Sequence, residues 1–438
     1  MSDFPAAQFG SVIARAQASG WLAALVLLHV VACCLSLVLL ARYYGYVDVG
    51  FEKARAYETI LRVLPCAVLS VCFVYSRFSF GYFVGLYLYS MVLGYLWIVG
   101  FSSFQYDHTL AAISAFVSVV AFLLPALFIT SPVRQRLVLS ERALEILLSA
   151  ILVLAATIIA VGAFYNFRLV GLSDIYKFRG DTEFPVLLRY PIGMTSSALL
   201  PFAFACYVSR GKPIFAAITV ALMLMIYPIT LTKLALLAPF WLLFLLVLSR
   251  FFETRISVIL SLLLPITAGI FAELLYQAGA LSYQWFIGYF GVVNFRMLAF
   301  TSVALDVYND FFSKHSVTYY CQISFLKPFV NCPYADPLSV VMSNNYHFGF
   351  LNASLFASEG IASVGPLLAP LAVLVCGLVI SVANRLSSDL PPRFVLLSGG
   401  ILVQEFLNIP LSTNLLSNGA ALLFLLWYVT PRSMFARK

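Results

Sequence analysis

The chain has 438 residues, of which 62% are hydrophobic and only 10% are charged. Soluble domains carry about 25% charged residues, so this composition excludes an ordinary soluble protein and predicts a polytopic membrane protein. The formal net charge of +8 comes from singly scattered Lys and Arg, which is typical of cytoplasmic loops rather than of a nucleic-acid-binding surface.

Twelve apolar runs are predicted to cross the hydrocarbon core as helices, which takes roughly 17–25 residues. The first run lacks a small-residue cleavage site, so we expect a membrane span there rather than a cleavable signal peptide. The predicted spans are 21–41, 59–75, 78–98, 110–130, 144–164, 190–208, 213–229, 233–249, 256–276, 364–382, 394–411 and 415–429.

The Lys and Arg of the short connections set the orientation, because positive charge accumulates on the cytoplasmic side. Most of them fall inside when the N-terminus is cytoplasmic, and twelve spans then place the C-terminus inside as well. The two longest connections, 166–189 and 277–360, lie outside. We therefore expect one all-α membrane domain over 1–438 with two long extracytoplasmic loops.

The second long connection is rich in Tyr, Phe and Asn, and polar loops on a rigid scaffold are where substrates are handled. It contains two of the eight cysteines, Cys321 and Cys332. A disulfide between them is expected if the loop faces an oxidising compartment, since such compartments preserve disulfides. No Cys and His have the spacing of metal ligands, so we expect no metal and no other cofactor.

Several outer cations are candidates for binding a phosphate or diphosphate. Arg179, in FRGD, and Arg189 carry planar guanidinium groups that match phosphate oxygens. The alternative is that both anchor the interface and pair with Asp181 and Glu183. Lys233 starts an apolar span at its outer end and is either a further phosphate ligand or a side chain that snorkels to the interface.

Arg296 lies in the apolar stretch GVVNFRMLAF, where a lone Arg needs an anionic partner. Asp306, Asp310 or a ligand phosphate are the candidates for that partner. His347, in SNNYHFGFLNAS, is the histidine that best suits a general base or a diphosphate contact. A single histidine at a membrane interface also fits a purely structural role.

Two glutamates complete the set of candidates. Glu359, in FASEGIASVG, precedes the tenth span and is either a charge at a helix start or a buried acid directed at an outer cavity. Glu405 lies well inside the eleventh span, in ILVQEFLNIP, and an ionisable residue at that depth is a candidate functional group. Pairing with an outer cation is the alternative role for Glu405.

The block YHFGFLNASLFASEGIASVG, residues 346–365, resembles the Asn- and acid-bearing segment that leads into a late span in Wzy-type O-antigen and oligosaccharide repeat-unit polymerases. The FRGD stretch and the Arg-bearing outer loops are similar to that family too. So is the architecture, with about a dozen spans, cytoplasmic termini and a large later outer loop.

This resemblance implies a GT-C-like fold and a metal-independent glycosyltransferase of the bacterial inner membrane. Such an enzyme transfers a growing glycan from undecaprenyl diphosphate to a sugar hydroxyl of an incoming lipid-linked repeat at the periplasmic face. The implied partners are that lipid-linked oligosaccharide, the bilayer and a chain-length regulator protein, with no nucleic acid. Two alternatives stay open: an O-antigen ligase-like transferase, and a flippase or transporter of lipid-linked oligosaccharide.

Overall fold

The computed structural model describes residues 6–45, 50–171, 184–323, 326–351 and 353–435. Within these residues the regular structure is helical, as the composition predicts. The helices are α1 (Gly20–Tyr43, continuous with a preceding segment from Ala6), α2 (Lys53–Tyr75), α3 (Phe80–Ile98), α4 (His108–Phe128), α5 (Glu141–Tyr165), α6 (Leu187–Ser209), α7 (Pro213–Thr230), α8 (Lys233–Phe251), α9 (Thr254–Gln277), α10 (Tyr283–Lys314), α11 (Leu338–Tyr346), α12 (Phe356–Ser387), α13 (Pro392–Phe406), α14 (Leu411–Leu416) and α15 (Ala420–Val429).

Eleven of these helices, α1 to α10 and α12, are long and apolar enough to cross a membrane. The first ten of the twelve predicted spans coincide with α1 to α9 and α12. The last two are shorter than predicted, because the chain leaves the helix after Phe406 and makes only the short α14 before α15 begins at Ala420. The structure also contains a long helix that is not among the predicted spans. It is α10, which lies inside the segment that the sequence predicts as a large outer loop.

Helix α3 is the centre of the bundle, and its whole length is buried. Glycines on this helix permit close packing with its neighbours. A Cβ on Gly81 would lie 2.1 Å from the Ala126 carbonyl oxygen, and one on Gly94 would lie 2.4 Å from the Ser302 hydroxyl. A larger side chain at either position would force α4 or α10 away from α3.

Side-chain hydrogen bonds fix the register of α12 against α4. Asn384 Nδ2 donates to the Ala126 carbonyl at 2.7 Å, and Ser114 Oγ donates to the Pro366 carbonyl at 2.5 Å. The two helices are therefore parallel, and the start of α12, which carries Glu359, lies beside the start of α4. We call this the glutamate end of the bundle; it includes the connections 99–107, 315–323 and 407–419.

The opposite end of the bundle collects many of the arginines that the sequence predicts to be cytoplasmic, and we call it the arginine end. Arg255 Nη1 donates to the Ser76 carbonyl at 3.3 Å, and Arg385 Nε donates to the Ser131 carbonyl at 3.2 Å. Each bond joins the end of a helix to a connection between two other helices. The bundle thus has one end stabilised by Arg–carbonyl hydrogen bonds and one that carries buried acids.

Helix α10 starts and finishes at the glutamate end. Its first turn packs against the last turn of α9, where the rings of Tyr283 and Tyr276 are 5.6 Å apart. Its middle dips between α1 and α9, where Asn294 Nδ2 donates to the Ile266 carbonyl at 2.9 Å. Near its other end Asp306 accepts a hydrogen bond from Tyr106, which lies in the connection 99–107. The apolar face of α10 is therefore covered by the bundle.

Candidate functional site

Glu359 lies in the first turn of α12, which is π-helical over Phe356–Ala362, and its side chain is only 6% exposed. Its Oε1 accepts hydrogen bonds from both the backbone N–H and the hydroxyl of Ser412, each at 2.9 Å. Ser358 Oγ lies 3.0 Å from Oε2. Short α14 begins just after Pro410, and its first amides lack partners within the helix. The carboxylate of Glu359 supplies an acceptor for them.

A short strap over 317–323 covers this turn. The Thr318 N–H donates to the Ala362 carbonyl at 2.7 Å, and Gln322 Nε2 donates to Ser363 Oγ at 2.7 Å. Cys321, within the strap, is joined to Cys332 by a disulfide with a Cα–Cα distance of 5.3 Å. The disulfide that the sequence suggests is thus present, and the strap that contains Cys321 is hydrogen-bonded to the first turns of α12.

Tyr320 is a strap residue whose pKa is affected by the Glu359 carboxyl. Burial, together with the nearby Cys376 thiol and the Glu359 carboxyl, raises the pKa of Tyr320. Tyr319 and Tyr320 have φ angles of 47° and 65°, a left-handed conformation that is uncommon for residues other than glycine. Strained backbone of this kind is concentrated at functional sites, so Tyr320 joins the candidate residues.

Asp306 and Asp310 are buried one turn apart on α10, at 0% and 4% exposure. Tyr106 donates its hydroxyl to Asp306, and Tyr346 donates to Asp310 Oδ2 at 2.6 Å. Lys314 Nζ lies 2.5 Å from Asp310 Oδ1. Burial, together with the hydrogen bond to Asp310, raises the pKa of Tyr346, so that phenol keeps its proton and remains a donor. Asp310 is therefore held by Lys314 and Tyr346, two partners that the sequence analysis did not consider.

His347 ends α11 with a left-handed φ of 58°, and its N–H donates to the Ser343 carbonyl at 3.0 Å. Its side chain is exposed, in contrast to Glu359. The hydrogen bonds of the Glu359 carboxylate go to Ser412 and Ser358, so within the described residues the two predicted catalytic side chains are not joined to each other.

The predicted phosphate ligands stand on separate helices. Arg189 is exposed near the start of α6, where Nη2 lies 3.4 Å from the Phe184 carbonyl. Lys233 is half-buried at the start of α8, and Thr232 caps that helix by accepting from the Ala235 N–H at 3.2 Å. Arg296 is half-buried on α10, with its guanidinium carbon 4.6 Å from the centre of the Phe300 ring.

Arg179, in FRGD, lies outside the described residues, as do Asp181 and Glu183, which the sequence analysis weighed as its partners. The described cations occupy the starts of α6 and α8 and the middle of α10. A diphosphate clamp built from them remains a prediction.

Glu405 occupies the last turn of α13 and is 5% exposed. Its Oε1 accepts from Ser197 Oγ at 2.5 Å, and Ser197 lies in the π-helical turn Thr195–Leu199 of α6. The described contacts of this carboxyl are thus to a neutral hydroxyl, whereas the sequence analysis weighed a cation as its partner.

Sequence reasoning missed Ser412, Tyr320, Tyr106 and Tyr346 as partners of the acidic residues. Ser412 lies 53 residues from Glu359 in the chain, and no local spacing connects the two. The high tyrosine content was the only available signal for the phenols. Across the described residues, no group of three or more His, Cys, Asp or Glu gathers as metal ligands would.

Comparison with protein-family models, with curated proteins and with solved structures finds no match. The fold nevertheless defines a class: the chain is an all-α, multi-pass membrane protein whose environment is a lipid bilayer. Within that class, the glutamate end described above is the candidate functional site.

Proposed function

We propose that this protein is a glycan polymerase. It transfers a growing glycan from undecaprenyl diphosphate to a sugar hydroxyl of an incoming lipid-linked repeat unit. Glu359 acts as the general base that takes the proton of the attacking hydroxyl, and His347 contacts the substrate. Arg179, Arg189, Arg296 and Lys233 bind the diphosphate. Such a transferase requires no metal ion or cofactor in this proposal.

The observation that carries the proposal is the setting of Glu359. Its carboxylate is 6% exposed and is held by Ser412 and Ser358, at the end of the bundle that also carries the strap and Tyr320. A general base must be held in position and shielded from bulk water. The burial of Glu359 and its hydrogen bonds support this role. The block 346–365 that resembles the Wzy-type family contains this residue.

The proposed localisation is the bacterial inner membrane, with the glutamate end in the periplasm and both termini in the cytoplasm. The arginine-rich opposite end supports this orientation through the positive-inside tendency. The Cys321–Cys332 disulfide supports it too, since disulfides persist in oxidising compartments. The proposed partners are the lipid-linked oligosaccharide and a chain-length regulator protein.

The test uses purified full-length protein in proteoliposomes supplied with undecaprenyl-diphosphate-linked repeat units. We expect a ladder of products longer than one repeat with the wild-type protein, and single repeats only with Glu359→Gln. Asp389→Asn is the matched control, because Asp389 is a half-exposed acid at the arginine end, 4.0 Å from Arg432. Polymer formation by Glu359→Gln at the wild-type rate would contradict the assignment.

A flippase or transporter of the same lipid-linked sugars is the second candidate, and one observation favours it. Helices α13 and α15 are separated by the interruption 407–419, and transporters form their binding sites from discontinuous helices of this kind. A carrier moves fluorescently labelled lipid-linked repeats across the proteoliposome membrane without lengthening them. A ligase-like transferase instead joins a single glycan to a different lipid acceptor.

A further inference from the structure

Glu405 is a buried acid for which the proposed transfer reaction has no use. It lies where α13 ends, beside the interruption 407–419 and against the π-helical turn of α6. The side chain is 95% buried. A carboxyl group in such a place must be neutralised by a partner, by a bound cation or by a proton, because an isolated buried charge is strongly disfavoured.

The hydrogen bonds around Glu405 are too few for an ionised carboxylate. Ser197 Oγ supplies one donor to Oε1 at 2.5 Å, and the Asn418 amide is the one other side chain that acts on the group. Oε2 is buried and has no hydrogen-bond partner within the described residues. Glu359, at similar burial, receives two donors from Ser412 on one oxygen alone.

The register of α8 against α13 shows where the cations of these two helices lie. Trp241 Nε1 donates to the Gly400 carbonyl, and Arg393 Nε donates to Ser249 Oγ, each at 3.2 Å, so the two helices are antiparallel. Arg393 is therefore at the arginine end, twelve residues and about 18 Å along α13 from Glu405. By the same register Lys233 is level with the interruption, beyond the end of α13.

Two further titratable groups, on α3 and α12, form hydrogen bonds with other residues. Tyr87 of α3 bonds to Ser261 Oγ at 2.7 Å, and Glu359 of α12 bonds to Ser412 of α14. Helix α6 presents Ser197 at the carboxyl. The groups that act on Glu405 are thus neutral side chains; their hydrogen bonds favour the ionised carboxylate, and burial, the larger effect, favours the neutral acid.

We propose that Glu405 is a proton-binding site inside the membrane bundle, with the carboxyl held in its acid form by its burial among the surrounding helices. The proposal does not depend on the polymerase reaction, because it concerns a residue outside that chemistry. The ligand is a single proton, which needs no open cavity, and the orphaned Oε2 is the atom that carries it.

The first test is labelling with a lipophilic carbodiimide in proteoliposomes at neutral pH. The reagent adds to a protonated carboxyl: the acid proton moves to a carbodiimide nitrogen, the carboxyl oxygen bonds to the central carbon, and rearrangement gives a stable N-acylurea. We expect peptide mass spectrometry to find the adduct on Glu405. The matched control is Glu273, which is 4% exposed but lies 3.4 Å from Arg42 and should stay unlabelled.

The second test does not depend on reagent access. Infrared spectra should contain a carboxylic-acid carbonyl band that is lost in Glu405→Gln and retained in Glu273→Gln. Loss of this band without carbodiimide labelling supports the proposal and shows that the site is closed to the reagent. An undiminished band in Glu405→Gln, or an adduct on Glu273 in place of Glu405, overturns it.

Discussion

Replacing Glu359 with Gln is the sharpest test of the proposed chemistry, because the structure can accept the amide with little change. The Gln Oε1 can accept the two hydrogen bonds from Ser412 that Glu359 now accepts at 2.9 Å. The new amide nitrogen would face Ser358 Oγ, whose proton can point to the Ser354 carbonyl 2.7 Å away. Ser358 is then free to accept from the amide.

The expected loss of stability is correspondingly small. Hydrogen bonds to a charged group contribute about 1.5–3 kcal/mol against about 0.5–1.5 kcal/mol for neutral pairs, and a charge near a helix start contributes about 0.3–1 kcal/mol more. We expect Glu359→Gln to lower the free energy of unfolding by about 1–2 kcal/mol. Thermal denaturation of the detergent-solubilised protein measures this change.

The expected loss of activity is much larger. General-base assistance contributes typically ~10²–10⁴ in rate, or about 3–5 kcal/mol in the activation barrier. The polymerisation rate in proteoliposomes, normalised to folded protein, should fall by that factor. Ser412→Ala keeps the carboxylate and removes one hydroxyl donor, so it should reduce the rate by less than about tenfold.

Two outcomes would refute this reasoning. A Glu359→Gln rate within about twofold of wild type would show that the carboxylate only ties α12 to α14, and the role of base would pass to His347. Equal losses in Glu359→Gln and Ser412→Ala would mean that the shared hydrogen bonds matter and the basicity does not.

The remaining predictions concern the clamp, the disulfide and the topology. Replacing Arg179, Arg189 or Arg296 with alanine should abolish polymer in a correctly inserted protein. Lysine should restore little activity, because an ammonium group cannot make the two parallel hydrogen bonds of a guanidinium group. Normal chain length in all three would place the clamp elsewhere. Cys332→Ser should destabilise the protein by about 2–3 kcal/mol and weaken activity without abolishing it; free thiols at both cysteines in unreduced membranes would contradict the bridge. A cysteine-free protein with a single cysteine at Tyr320 should react with an impermeant reagent from outside, and one at Arg136 only from inside.

The membrane bundle could be predicted from sequence because hydropathy and length are local properties. A run of about 20 apolar residues has few alternatives to a helix in a bilayer, since every backbone group must be paired within it. Ten of the twelve predicted spans accordingly coincide with helices that are long enough to cross a membrane. The arginines that the sequence predicts to be cytoplasmic include Arg255 and Arg385. In the structure both hydrogen-bond to connections at the same end of the bundle.

The sequence predicts a buried or amphipathic helix only around Arg296 and does not predict the full length of α10, because this segment mixes signals. Tyr, Asn and Asp interrupt its apolar pattern, and these residues are typical of loops when read alone. In the folded protein some of these residues have distant partners, since Asn294 donates to the Ile266 carbonyl and Asp306 accepts from Tyr106. A helix whose polar groups are paired by tertiary contacts cannot be distinguished from a polar loop by local periodicity.

The candidate site shows the same division between local and distant information. Glu359 and Glu405 could be selected from sequence because acids in apolar surroundings are rare. Their partners, Ser412 and Ser197, are ordinary residues 53 and 208 positions away. What each acid can do depends on those partners, which only the fold brings into contact.

The interruption 407–419 allows a test between a transferase and a carrier, because Glu359 joins this segment to α12 by hydrogen bonds. The carboxylate accepts the Ser412 N–H, and Asn414 Nδ2 donates to the Ile409 carbonyl at 3.1 Å, so backbone groups released from the helix are paired by side chains. A carrier must move this segment relative to α12 to pass its substrate. Weakening the connection with Glu359→Gln should then leave transport intact or change its rate modestly. In a transferase the same substitution removes the base, so chain extension stops while binding of the lipid-linked repeat persists. Measuring transport, extension and binding on one preparation separates the two functions, and loss of binding together with extension would contradict the role of Glu359 as a base.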